Sequence, residues 1–107
     1  MAIRRYTSPT QELIIENLDL SSADIYVTYR QGSVSMTFSG DDIEVSLITD
    51  NDRTDTLIQV YLSQSETAKF GLGDVSVQVN WIIDGQRDAT SIVKFDITNN
   101  LLEEVIS

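Results

Sequence analysis

The sequence contains neither cysteine nor histidine, and basic residues are few: seven lysines and arginines stand against seventeen aspartates and glutamates. Without cysteine and histidine, the chain has no disulfide, thiol nucleophile, thiolate or imidazole zinc site, or histidine-based catalytic triad. The formal charge of −10 repels a polyphosphate backbone across most of the surface. These absences argue against nucleic acid as a partner and against most metal or nucleophilic chemistry.

Long hydrophobic runs are also missing. The N-terminal stretch MAIRRYTSPTQ has two arginines but no apolar run of signal-peptide length, and no later stretch is long enough to span a bilayer. We therefore expect no membrane partner, and synthesis in a cytoplasm without self-encoded export. A length of 107 residues with 41% hydrophobic residues fits one folded domain over residues 1–107.

Apolar and polar residues alternate with a period of two over most of the chain, which is typical of half-buried strands. The strongest alternation is DVSVQVNW, where Val75, Val77, Val79 and Trp81 share one face. The same pattern predicts these inward side chains on six other segments: Leu13 and Ile15; Ile25, Val27 and Tyr29; Val34, Met36 and Phe38; Ile43, Val45 and Leu47; Ile58, Val60 and Leu62; and Val93, Phe95 and Ile97.

Turn signals separate several of these segments. Gln31-Gly32, the polar run DNDRTD and Asp84-Gly85 each predict a turn between strands. Seven or so short strands in about a hundred residues predict an all-β fold, an antiparallel immunoglobulin-like β-sandwich, with a closed barrel as the alternative.

One segment, LSQSETAKFG, has a helical signal instead. Ser63 precedes Glu66 by three residues, which is the spacing of a capping box, and Lys69 would lie in the last turn. Gly71 suits a left-handed position after the helix end, and Phe70 and Ala68 are the expected anchors to the core. The segment predicts one short helical crossover between the two sheets.

The order of YVTYRQG, VYLSQSETAKFGLGDVSVQVNWIIDGQRDAT and NNLLEEVI resembles small immunoglobulin-like structural proteins of tailed phages and prophages. It is similar in particular to the N-terminal domain of baseplate upper proteins of phages that infect Gram-positive bacteria. The similarity covers nearly the whole chain and is strongest from Val60 to Ile97.

This resemblance implies a virion structural or adaptor protein of the baseplate, tail or head-tail region, made in the bacterial host cytoplasm. Its partners would be other virion proteins and possibly a second copy of itself, in a homo-oligomer. The chain shows no coiled coil or receptor-binding region, so we expect a stand-alone module. No enzymatic activity and no cofactor are expected.

The candidate interaction residues lie in both termini and at isoleucines that fall on the face predicted to point outward. Residues 1–10 are predicted to be a mobile arm whose arginines are either simply solvated or dock on an acidic subunit. Residues 99–107 are predicted to be a tail that either folds back or docks on a partner. Ile82 and Ile83, like Ile14 and Ile92, break the alternation and would form an association patch if they cluster. The candidates are Arg4, Arg5, Tyr6, Ile82, Ile83, Leu101, Leu102, Val105 and Ile106.

Three other functions are weighed against this hypothesis. A carbohydrate-binding sandwich would need stacking platforms, for which the candidates are Trp81, Tyr26, Tyr29 and Tyr61, although alternation places Trp81 with the inward valines. Two acidic groups suggest oxygen-only calcium binding, but solvated turns are the favoured interpretation: Asp41, Asp42 and Glu44, and Asp50, Asp52 and Asp55. Paired acids could suggest a glycosidase, but the short loops leave little room for a cleft.

Overall fold

Strands make up most of the chain in the computed structural model, which describes residues 2–90 and 92–98. The elements are β1 (Ala2–Arg4), β2 (Thr10–Ile15), β3 (Asp24–Gln31), β4 (Val34–Ser39), β5 (Ile43–Asp50), β6 (Arg53–Tyr61), α1 (Gln64–Lys69), β7 (Gly73–Ile83), β8 (Gln86–Ala89) and β9 (Val93–Thr98). A single 3-10 turn, Gly40–Asp42, joins β4 to β5.

The strands form two sheets. The large sheet has the order β1-β9-β7-β3-β4, with β8 beside the end of β7, and the small sheet has the order β2-β6-β5. All pairs are antiparallel except β1 with β9. With β8 and β9 as two halves of one strand along β7, these orders match the B-E-D and G-F-C-C′ sheets of an immunoglobulin-like sandwich. The predicted fold class is confirmed.

The core lies between the inward faces of the two sheets. The alternation predicted for β3, β6 and β7 is confirmed, because their inward side chains are buried. Tyr29 lies at the centre, edge-on to Phe38 and Phe95 at ring-centroid distances of 5.5 and 6.0 Å. The buried apolar residues are Ile3, Leu20, Ile25, Val27, Tyr29, Phe38, Ile43, Ile58, Val60, Leu62, Phe70, Val75, Val77, Val79, Trp81, Phe95 and Ile97.

Three residues predicted to point into the core, Val45, Leu47 and Val93, are exposed instead. Four others are only half-buried against it: Leu13, Ile15, Val34 and Met36. Alternation along a strand fixes the face on which a side chain lies, but it does not show whether the other sheet covers that position. These residues lie on edge strands or at strand ends, where coverage by the second sheet is incomplete.

The short helix α1 carries the chain from β6 in the small sheet to β7 in the large sheet, as predicted. Its capping box is formed: the Ser63 hydroxyl accepts from the Glu66 N–H at 3.1 Å, and the Ser63 N–H donates to the Glu66 carboxylate at 2.8 Å. Phe70 is fully buried as expected, whereas Ala68 is half-buried and Thr67 is the buried residue of the helix.

The prediction for Gly71 is wrong. The helix ends at Phe70 in an extended conformation, with φ −82° and ψ 141°, so no left-handed residue is needed to stop it. Gly71 instead bonds through its backbone N–H and C=O to the side-chain amide of Gln31, at 2.7 and 2.9 Å. This contact fastens the end of the crossover to β3.

The N-terminal segment also differs from the predicted arm. Residues 2–4 form β1, which pairs in parallel with residues 96–98 of β9, and Ile3 is buried. Thr10 already belongs to β2. A strand of three residues is too short for a period-two pattern to reveal it, so sequence alternation gave no signal there.

Candidate protein-interaction site at the open edge of the small sheet

The candidate site is the outer edge of β5, in the hairpin that β5 forms with β6. The two-residue loop, Asn51-Asp52, has φ values of 46° and 65°, and Asp50 lies opposite Arg53. Asparagine and aspartate tolerate this left-handed conformation better than other non-glycine residues, which is why this polar pair can close a tight hairpin. The turn predicted within DNDRTD is therefore present.

An ionic cluster fixes the β6 side of the hairpin. The Asp55 carboxylate accepts from Nε of Arg53 and from the Asn17 backbone N–H, both at 2.8 Å. The hydrogen bond from Arg53 is the main reason that the pKa of Asp55 is lowered, and the one from Asn17 adds to it. Arg53 also lies 3.4 Å from the Glu16 carboxylate. These contacts tie β6 to the end of β2 and leave β5 on the outside.

β5 itself is poorly covered. Only Ile43 is buried, and every residue from Glu44 to Asp50 is exposed. Val45 and Leu47 lie on the inward face, opposite the buried Ile58 and Thr56, yet they are 39% and 41% exposed. Ile48, on the outer face, is 40% exposed. One strand thus presents apolar side chains on both faces.

The backbone of β5 is also available. In a two-residue hairpin the residues that flank the loop form a hydrogen-bonded pair, so the even-numbered residues of β5 bond to β6. The odd-numbered residues 43, 45, 47 and 49 then direct their N–H and C=O groups away from β6, although the Ile43 N–H already donates to the Gly40 carbonyl of the 3-10 turn. Within the part of the chain that the structure describes, β5 pairs with β6 alone.

The usual protections of an edge strand are missing from β5. It contains no proline, lysine or glycine, and its register with β6 is uninterrupted over eight residue pairs. Its only charged residues are Glu44 and Asp50. The Glu44 carboxylate accepts from the Tyr61 hydroxyl at 2.9 Å, which raises the pKa of Tyr61 and holds the carboxylate over β6. The edge therefore suits the addition of another strand.

A cleft lies beside the start of β5, on its inward face. The aliphatic side chains of Leu20, Ala23, Ile25, Ile43 and Val45 form part of its lining. Its floor is fixed, because the Leu20 N–H donates to the buried Thr56 hydroxyl at 2.9 Å. An apolar side chain carried by a strand beside Val45 would reach the mouth of this cleft.

The predicted N-terminal interaction residues make contacts within the chain. Nη2 of Arg5 donates to the Ala68 carbonyl at 2.7 Å, and its guanidinium lies 5.2 Å from the ring centroid of Tyr6. Arg5 therefore ties the N-terminal segment to α1, the Tyr6 ring lies beside its guanidinium, and Arg4 is exposed on β1. Arg5, which was expected to dock on another subunit, therefore makes these contacts within its own chain.

The isoleucine candidates do not join this group. Ile82 is exposed near the C-terminal end of β7. The N-terminal segment lies at the other end of this strand, where Gly73 pairs with β9 beside β1. Its neighbour Ile83 packs partly against the core. Ile14 shares a shallow depression with Val93, on a different part of the surface. The predicted tail residues Leu101, Leu102, Val105 and Ile106 lie outside the described residues.

The aromatic residues proposed as sugar platforms are separated by the fold. Trp81 and Tyr29 are buried in the core. Tyr26 and Tyr61 are exposed, but they lie on the outer faces of different sheets, so they cannot form one binding surface. No three acidic side chains converge as metal ligands among residues 2–90 and 92–98.

The exposed apolar residues of this edge that the sequence analysis did not name as interaction candidates are Val45, Leu47 and Ile48. The available signal was the run IEVSLIT, which has strong strand propensity, one charge and no proline or glycine. Comparison with known proteins adds no constraint: no family model matches the chain, and no curated protein matches it. In the described segments, no helix is long and apolar enough to cross a membrane.

Proposed function

We propose that this chain is a structural or adaptor protein of a phage or prophage virion, and that it acts by protein–protein contact through the open edge of β5. Strand addition at such an edge supplies backbone hydrogen bonds, and the side chains on either face supply specificity. The function is a preorganised surface, with no chemical step.

The observation that carries the proposal is the exposure of β5. An eight-residue strand with unpaired backbone groups and exposed Val45, Leu47 and Ile48 is an association hazard unless a partner covers it. The remaining charged surface would oppose non-specific contacts, because the chain carries a net charge of −10. The simplest function of this exposed strand is to bind a specific protein partner along its edge.

The virion setting rests on the resemblance described under Sequence analysis. That resemblance implies a domain that attaches to other virion proteins and can associate with further copies of itself. An immunoglobulin-like sandwich whose edge strand β5 is uncovered in the described part of the chain is suited to such a position.

Quantitative mass spectrometry of purified particles from the strain that encodes the chain tests this proposal. We expect the chain in a fixed ratio to the major capsid protein, and the ratio would indicate the symmetry of its site. Reproducible absence from particles, with the chain abundant in the lysate, would contradict a virion role.

A carbohydrate-binding role is the second candidate, and one feature favours it. Tyr26 lines a shallow depression on the outer face of the large sheet together with Asn80, Ile82 and Arg87. Arg87 donates to the Asn80 side-chain oxygen at 3.1 and 3.3 Å, which places polar groups beside an exposed ring. A glycan array with the Tyr26→Ala variant tests it, with Tyr61→Ala as the control on the opposite face.

A further inference from the structure

We propose that the open edge of β5 is completed by β5 of a second copy of the chain, antiparallel across a two-fold axis. The two three-stranded sheets would then join into one six-stranded sheet. This inference rests on the proposed function, because it names the partner of the same edge.

Symmetry and the pleat leave few possible registers. In an isologous two-fold interface, a residue that precedes the axis by a given number of positions lies opposite the residue that follows it by the same number in the other copy. The inward faces of both small sheets must also lie on the same side of the joined sheet. The free backbone groups belong to the odd-numbered residues, so these must pair with each other. The axis must therefore pass through a residue of β5, with Val45, Ser46 and Leu47 as the central choices.

The charges within β5 and the length of the pairing select Ser46. An axis at Leu47 places Glu44 directly opposite Asp50 of the other copy, and like charges in that position are destabilising. An axis at Val45 pairs only residues 43–47 of the strand. An axis at Ser46 pairs residues 43–49. Because the Ile43 N–H already donates to the Gly40 carbonyl, the odd-numbered residues of the two copies supply up to about six backbone hydrogen bonds.

The same register brings apolar side chains together. Val45 lies opposite Leu47 of the second copy, and the symmetry repeats this pair on the other side of the axis. Leu47 of the second copy then lies at the mouth of the cleft lined by Val45, Ile43 and Leu20. Side chains that are about 40% exposed in the single chain become covered.

The absence of cysteine makes the register directly testable. In Ser46→Cys, the two introduced thiols face each other across the axis in a non-hydrogen-bonded pair, with Cα atoms about 4.5 Å apart and within disulfide reach. In the control Ile48→Cys, each thiol lies opposite Glu44 of the other copy. The two thiols are then roughly 13 Å apart along the strand and out of reach.

We expect mild oxidation to produce covalent dimers of Ser46→Cys at least tenfold faster than of Ile48→Cys. A mixture of Glu44→Cys and Ile48→Cys should cross-link faster than either variant alone, because these positions lie opposite each other. Equal rates for Ser46→Cys and Ile48→Cys, or faster cross-linking by Ile48→Cys, would overturn the register.

Sedimentation equilibrium of the full chain provides an independent measurement. Leu47→Lys places a charge in the proposed apolar pair and should weaken dimerisation at least tenfold. Ile14→Lys, a change at another exposed apolar residue on the other edge of the small sheet, should leave it unchanged. A wild-type chain that remains monomeric at every concentration would overturn the dimer. If that monomeric chain is still present in particles, the dimer is wrong and the proposed virion function stands. If the chain is a dimer but is absent from particles, the dimer stands and the virion function is wrong.

Discussion

Tyr29 connects the two sheets through the middle of the core. It lies on β3 of the large sheet, and its hydroxyl donates to the side-chain carbonyl of Gln11 on β2 of the small sheet. Both residues are buried, so this polar contact is shielded from water. Burial raises the pKa of the Tyr29 hydroxyl, and the negative charge of Glu66 adds to the rise.

This raised pKa predicts a loss of stability in alkali. The unfolded chain loses the Tyr29 proton near pH 10, whereas the folded chain retains it, so unfolding is favoured as the pH rises above about 10. Below pH 10 the contribution is fully present. We expect Tyr29→Phe to cost about 1 to 2 kcal/mol at pH 7 and to reduce the alkaline loss.

Urea unfolding between pH 7 and pH 11 measures both effects. The control is Tyr26→Phe, because the Tyr26 ring is exposed on the outer face of the large sheet. If the free energy of unfolding falls equally with pH for wild-type, Tyr29→Phe and Tyr26→Phe, the buried hydroxyl does not cause the alkaline loss of stability.

At the level of elements, α1 depends on its cap and on one buried side chain. A helix of six residues is too short to be stable by propensity alone. The capping box satisfies two backbone N–H groups, and the buried Thr67 donates to the Thr7 carbonyl at 2.7 Å. The crossover is therefore held by specific polar contacts as well as by Phe70.

Ser63→Ala should lower the free energy of unfolding by about 1 kcal/mol, because it removes the acceptor for the Glu66 N–H. Ser65→Ala is the matched control: it lies in the same helix and is exposed, and its effect should stay within about 0.5 kcal/mol. Thermal or urea unfolding of the two variants gives the comparison. Equal effects of the two substitutions would rule out a stabilising capping box.

The elements also show what could be predicted from the sequence. Alternation predicted the inward faces of β3 and β7, and the serine-to-glutamate spacing predicted the cap of α1. Local patterns were sufficient there because the strands are long and fully covered. They failed for Val45 and Leu47, since exposure depends on how far the opposite sheet extends. The candidate site was missed for this reason.

At the scale of the whole molecule, the excess of acidic residues constrains any association between copies. Two chains with a charge of −10 repel each other, and this repulsion must be offset by apolar burial and backbone hydrogen bonds. An axis at Ser46 also brings Asp50, at the hairpin tip of one copy, near Asp42 in the 3-10 turn of the other. No basic side chain of β5 compensates for this approach.

Dimerisation should therefore strengthen as salt is added, unlike an interface formed by pairing opposite charges. Raising the ionic strength from about 0.01 to about 0.15 M shortens the screening length from about 30 to about 8 Å, so the dissociation constant should fall several-fold. Asp50→Asn removes one of the closest like charges, so it should tighten the dimer at low salt and reduce the response. Sedimentation equilibrium at both salt concentrations measures each effect. A dimer that weakens with salt would require an interface formed by opposite charges, away from β5.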